Sequence, residues 1–148
     1  MTIDNEQLTV REIEERDYPA VLALWNCLGN RDVTAENIGP YYEKVSLDDN
    51  YKTFVAVTDG ETVGFITVVQ AMSVGMPVGY LKINGLAVTP EMRNQGIGSR
   101  LLEHVEAYAK ARGLSSIGLA TGFKRKDAHR FYERHGYQTG SYAYFKNF

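Results

Sequence analysis

A single cysteine, Cys27, stands in 148 residues, which excludes an internal disulfide and fits a reducing compartment. Its simplest role is that of a small apolar residue on a helix face. No apolar run approaches the length needed to span a bilayer. The opening MTIDNEQLTV is polar and acidic, unlike a signal peptide. Neither sign of charge dominates. A net charge of -2 and the lack of a long basic groove give no pull toward nucleic acid or an anionic membrane. Internal repeats, low-complexity segments and linkers are also missing. What is present is ordinary for a globular chain: 44% hydrophobic and 23% charged residues rule against disorder. The expectation is a soluble cytoplasmic protein, one domain over residues 1–148, with no metal.

Periodicity then places the elements. Leu8 to Ile13 alternates as a first strand. Asp17 is positioned as the N-cap of a helix with Pro19 in its first turn and Val21, Leu22, Leu24, Trp25 and Leu28 on one face; Gly29-Asn30 ends it. A second helix is expected from Thr34 or Ala35 to Val45, with Pro40 awkward in its interior. Tyr51–Val57 and Thr62–Gln70 read as strands joined at Asp59-Gly60, a hairpin signal. Gly79–Val88 is a third long strand. A helix follows with Ile97, Leu101, Val105 and Tyr108 at helical spacing and Gly113 as its C-terminal cap. Ser115–Thr121 reads as a short buried strand, Asp127 as the N-cap of a last helix ended by Gly136, and Tyr142–Phe145 as a closing strand. The fold class is α/β of the α+β type, a mixed and mostly antiparallel sheet flanked by helices.

The stretch Arg93-Asn94-Gln95-Gly96-Ile97-Gly98 lies between the third long strand and its helix. Two glycines around one apolar residue at a helix mouth bring backbone close to a ligand. The first N–H groups of a helix lack internal partners, and its dipole favours an anion there. The expectation is a phosphate or pyrophosphate seat, set against a helix that merely needs a tight turn. A P-loop is excluded because no Gly-Lys-Ser/Thr follows. A Rossmann site is excluded because the turn comes after antiparallel strands and no G-x-G-x-x-G is present.

Arg93-x-x-Gly96-x-Gly98 between a strand and an amphipathic helix resembles the acetyl-CoA-binding motif of the GNAT N-acetyltransferase superfamily. Ala128-x-x-Phe131-Tyr132-Glu133-x-x-Gly136-Tyr137 is similar to that family's C-terminal motif, in the right order and at a suitable spacing. Lys124 to Tyr132 with the Tyr-rich end of the chain further resembles small-amine acetyltransferases of the aminoalkylphosphonate type. The resemblance implies acyl transfer from acetyl-CoA to an amine. Backbone groups of Leu86, Ala87 and Val88 would hold the pantetheine arm, and backbone from Asn94 through Gln95, Gly96, Ile97 and Gly98 to Ser99 the pyrophosphate. Arg93 would add charge or brace the loop. Tyr132 would be the general acid that protonates the departing CoA thiolate. Homodimers are common in such a family.

Two departures from the family pattern stand out. Many relatives carry a glutamate on the strand before the glycine turn, whereas Gly79–Val88 holds no acid at all. The base that deprotonates the substrate ammonium is therefore open between a water relay at Asn84, Asp32 or Glu36 from the N-terminal helices, and His129. Arg125 stands where many relatives have an asparagine. Within Lys124-Arg125-Lys126 it is a candidate contact for the phosphates of CoA, set against a solvated basic turn. Asn30, Arg31, Tyr41, Tyr42 and Tyr142 are candidate lining residues of a pocket for a small-molecule amine. Asp48-Asp49-Asn50 is an acidic run that attracts a cation or is simply solvated. An acetyltransferase of protein lysines or N-termini, and a catalytically silent acyl-CoA-binding module, are the rival readings.

Overall fold

The computed structural model describes residues 7–29 and 34–148. The chain falls into two compact units, Met1–Gly118 and Leu119–Phe148. The elements are β1 (Thr9–Glu12), α1 (Tyr18–Cys27), α2 (Ile38–Ser46), β2 (Tyr51–Thr58), β3 (Glu61–Ala71), β4 (Tyr80–Val88), α3 (Ile97–Ala111), β5 (Ile117–Leu119) and α4 (Lys126–Arg134). Short 3-10 turns, Glu15–Asp17 and Pro90–Met92, precede α1 and follow β4. The strands lie in sequence order in one sheet, and β1 to β4 pair antiparallel. The Asp59-Gly60 hairpin appears where the sequence puts it, with φ of 50° and 74° at its two central residues. Left-handed backbone at both positions matches the twist of the strands it joins.

The two faces of the sheet are covered by different helices. Val21 and Leu24 of α1 pack with Val55, Phe65 and Ala87. On the other face, Gly64 lies under Ile97 and Leu101 of α3, 3.2–3.3 Å from where its Cβ would stand. Leu101, Leu102 and Val105 are completely buried. Each such side chain contributes about 1.5–3 kcal/mol relative to exposure. The helical spacing read from the sequence is thus the core face of α3.

Asp17 stands at the N-cap position of α1, but its carboxylate makes no cap hydrogen bond to that helix. Asp17 is 1% exposed. Arg11 donates to both of its oxygens at 2.7 and 3.0 Å. Thr62 Oγ1 and the Glu14 backbone N–H donate to it at 2.6 and 2.7 Å. The carboxylate thereby ties β1, the 3-10 turn and β3 together.

Several expectations are corrected. Helix α2 begins at Ile38, so Pro40 falls in the first turn, where its missing N–H costs nothing. Thr34 is the start of a preceding turn: its N–H donates to Asn37 Oδ1 and its carbonyl accepts from Asn37 and Ile38. Cys27 is on the exposed side of α1 rather than its apolar face. The fifth strand is three half-buried residues, shorter than Ser115–Thr121. Tyr142–Phe145 forms no strand, and residues 137–148 carry neither helix nor strand. Tyr142, Tyr144 and Phe145 are 79–89% exposed. Strand propensity reflects packing on a pleated surface, and without such packing the alternation makes no strand.

Candidate active site

The site is built on β4. Thr67 pairs with Gly85 and the next residue, Val68, pairs with Ile83, so Asn84 is an extra residue in β4. Such a bulge bends a strand and increases its twist. An Asn-Gly pair inside a strand pattern is the signal that marks it. Past the bulge, Leu86, Ala87 and Val88 pair with Ile66, Phe65 and Gly64 on one side. On the other side β5 is registered on the beginning of β4: Leu81 N–H donates to Ser116 O at 3.0 Å and Ser115 N–H to Gly79 O at 3.4 Å. At about 3.3 Å per residue, three residues of β5 cannot follow β4 to Val88. The backbone of Leu86–Val88 therefore runs beyond the span of β5, as an edge able to pair with an extended ligand.

The turn after β4 is left-handed twice. Asn94 has φ 63° and Gly96, the residue before α3, φ 85°. A side chain at Gly96 is disfavoured by backbone geometry, and nothing lies within 4 Å of where its Cβ would point. The space over the turn is open. Ile97 is buried and anchors the start of α3 in the core, while Gln95, Gly98 and Ser99 are half-buried. Arg93 is exposed, and its Nε donates to Val88 O at 3.4 Å. It braces the loop against the end of β4. Arg93 to Ser99 thus form one turn at the N-terminus of a 15-residue helix, where the dipole and the first N–H groups favour an anion.

In the second unit, α4 starts at Lys126 with Arg125 in the N-cap position, so Asp127 is a first-turn residue and not the cap. The His129 ring is 2.9 Å from Gly122 O and fastens the preceding loop, which makes it a structural group. Gly136 reverses the chain at φ 87°. Tyr137 N–H then reaches Tyr132 O, and Gly136 N–H reaches Glu133 O, both at 3.0 Å. This paired closure of a helix end brings the following side chain back over the last turn. The Tyr137 ring accordingly lies 5.7 Å from the Tyr132 ring, edge-on, and Phe131 lies 5.1 Å from Tyr132 on another side. The C-terminal motif is therefore a device that holds Tyr132. Burial pushes the Tyr132 phenol up to about 12, against an opposing pull from the Arg125 charge. It stays protonated at any ordinary pH.

Other candidates separate. Tyr42 is half-buried and packs 5.8 Å from Tyr18, whereas Tyr41 is 52% exposed and Glu36 lies on an exposed turn. Asp48 accepts the N–H of Asn50 at 2.9 Å, so that acidic run is a solvated turn. Asn84 and Arg125 are exposed. Asn30, Arg31 and Asp32 lie outside the described residues. Among the described residues, no cluster of three His, Cys, Asp or Glu side chains is placed to hold a metal, and no helix is long and apolar enough to cross a membrane. Two groups near β4 escaped the sequence reading. Trp25 covers Gly85, and the hydroxyls of Thr53 and Thr67 meet at 2.9 Å. Neither a tryptophan on a helix nor a threonine on a strand announces such a partner in sequence.

A bulged strand whose end runs beyond β5 thus leads into a left-handed turn and a helix N-terminus. The chain belongs to the GNAT acetyltransferase family, whose model matches residues 8–137. It is 38% identical over 100 residues to an aminoalkylphosphonate N-acetyltransferase of Salmonella typhimurium, a stretch that is 68% of this chain and 65% of that one. A crystal structure of a transcriptional regulator from Bacillus halodurans C-125 is 26% identical, with a TM-score of 0.82 over 95% of this chain and 99% of that chain. AAC(6')-Iy in complex with the bisubstrate analog CoA-S-monomethyl-acetylneamine shares the fold at 16% identity, with a TM-score of 0.81 over 95% and 97% of the two chains.

Proposed function

We propose that this protein is an N-acetyltransferase that moves the acetyl group of acetyl-CoA to the primary amine of a small molecule. The observation that carries the reading is the junction of β4 with α3: an open strand edge at Leu86–Val88, then left-handed Asn94 and Gly96 at a helix N-terminus. An extended arm with amide groups can pair with a strand edge, and a pyrophosphate suits the positive end of a helix. The Salmonella relative, named for an aminoalkylphosphonate, supports a small amine as acceptor. The neighbour solved with a CoA analog supports the donor.

In this reading the amine nitrogen attacks the thioester carbonyl directly. The C–N bond forms, the C–S bond breaks, and a backbone N–H of β4 polarises the carbonyl oxygen. Tyr132 gives its phenolic proton to the CoA thiolate. Its raised pKa keeps that proton available.

The test is thiol release from acetyl-CoA over a panel of alkylamines, aminoalkylphosphonates, amino acids and lysine peptides. Turnover on one or more small amines is expected. Turnover only on peptides would move the activity to protein acetylation. CoA binding without turnover on any acceptor would favour a silent acyl-CoA-binding module. That second reading draws on the carboxylate-free strand and on the relative described as a transcriptional regulator.

A further inference from the structure

Gly85 stands at the bulge of β4, one residue before Leu86, and it has no side chain. Where its Cβ would point, three carbon atoms close in: Trp25 Cζ3 at 2.9 Å, Thr67 Cγ2 at 3.4 Å and Phe65 Cε2 at 3.5 Å. Thr67 presents its methyl there, while its hydroxyl is bonded to that of Thr53 at 2.9 Å. Two residues on, and so on the same face of the strand, Ala87 belongs to the apolar cluster under Val21 and Leu24 of α1. Trp25 packs against that cluster but is itself half-buried, so part of the indole is reachable from outside the core. In the reading above, the phosphates of CoA sit at the turn before α3 and the arm runs back along Leu86–Val88. β4 enters that turn from the bulge. The thioester end of the arm therefore points toward Gly85, under the indole of Trp25.

We propose that Trp25 sets the length of the acyl group, closing the space beside the bulge so that an acetyl group fits and a longer chain does not. The assignment rests on the acetyltransferase reading above. A wall of carbon atoms offers no hydrogen bond, so it suits the alkyl part of a thioester and not a charged amine. It is a specificity wall for the donor. The wall is also stiff. The Trp25 ring packs on Phe65 with centroids 6.2 Å apart, and Phe65 is 1% exposed. Added methylenes would have to push the indole against a close-packed core, which does not give way easily. Gly85 belongs to the same device: its missing side chain lets the indole come down onto the strand.

The experiment measures kcat/KM for acetyl-, propanoyl- and butanoyl-CoA with the small amine that turns over fastest in the panel above. A misfit of one methylene changes kcat/KM by about 10- to 200-fold. The unmodified protein is expected to use butanoyl-CoA at least about 100-fold less well than acetyl-CoA, and Trp25→Leu to bring the two donors within about tenfold. Trp25→Phe, which keeps a ring of smaller size, should fall between them and serves where the leucine variant does not fold. An unmodified protein that uses the three donors equally well overturns the proposal. So does a folded variant that loses rate on all three by the same factor, which would make Trp25 a packing residue only. If the unmodified protein transfers acetyl to no amine, the acetyltransferase reading itself fails, and this assignment with it.

Discussion

Trp25 lies over Gly85 so closely that a Cβ on Gly85 would come within 2.9 Å of the indole ring. The ring is not free to swing away, because it packs at 6.2 Å on Phe65, itself buried in the core. Thr67 and Phe65 close the other sides of the missing side chain at 3.4 and 3.5 Å. Gly85→Ala should therefore destabilise the fold by about 1–3 kcal/mol, the range for overpacking. Trp25→Leu in the same chain should relieve part of that. A double-mutant cycle by urea unfolding reads the coupling, and strict additivity would show that the contact is not responsible.

The turn at Gly96 offers a second test. Left-handed backbone costs a residue with a Cβ about 1–2 kcal/mol. Gly96→Ala should lower stability by that amount. Its methyl would also stand in the open space over the first turn of α3, the proposed seat of the CoA phosphates. CoA affinity by titration calorimetry should fall by about tenfold, the equivalent of roughly 1.4 kcal/mol. Unchanged affinity would move the phosphates away from this turn.

The Asp17 network makes a prediction about pH. Burial alone would raise the Asp17 carboxyl, but hydrogen bonds from Arg11, Thr62 and the Glu14 backbone outweigh it and leave it below its ordinary value. A carboxyl lowered on folding stabilises the native state above its unfolded pKa, and that share is lost as pH falls through the folded one. Unfolding midpoints should drop as pH falls from about 4 downward, with a contribution absent from Asp17→Asn. At neutral pH the same substitution should cost about 1.5–3 kcal/mol, the range for losing hydrogen bonds to a charged group, since Arg11 is part exposed. Equal acid sensitivity in both proteins would assign the loss to other carboxylates.

Legibility in the sequence followed how local each signal was. The Asp59-Gly60 hairpin, the apolar face of α3 and the Arg93–Gly98 turn each depend on neighbours within a few residues, and each stands where periodicity and turn chemistry put it. The start of α2 did not, because Pro40 reads equally as a helix breaker and as a first-turn residue. The terminal tyrosines alternate like a strand, but a strand also needs a partner, which composition does not carry. Pairings made by the fold itself were invisible: Arg11 with Asp17, Trp25 with Gly85, and Thr53 with Thr67. The Arg93–Gly98 turn, the proposed donor seat, is written in one continuous stretch, so its left-handed backbone at a helix N-terminus was legible.

The assignment of Tyr132 can be separated from its packing role. Phe131, Tyr132 and Tyr137 touch through their rings, so Tyr132→Phe preserves those contacts and deletes only the hydroxyl. Under the general-acid reading, turnover should fall by about 100-fold or more. CoA affinity should change little, since the proposed pyrophosphate seat is at α3. The pH profile is the sharper probe. Burial keeps the phenol protonated up to about 12, so the acid form is present throughout the neutral and mildly alkaline range. The unmodified enzyme should then show no decline in kcat assignable to Tyr132 below about pH 10, the ordinary phenol value. An alkaline limb at lower pH that persists in Tyr132→Phe would belong to another group. A limb at lower pH that vanishes in that variant would mean that the phenol ionises in the working complex, and that its proton is not the one delivered to sulfur.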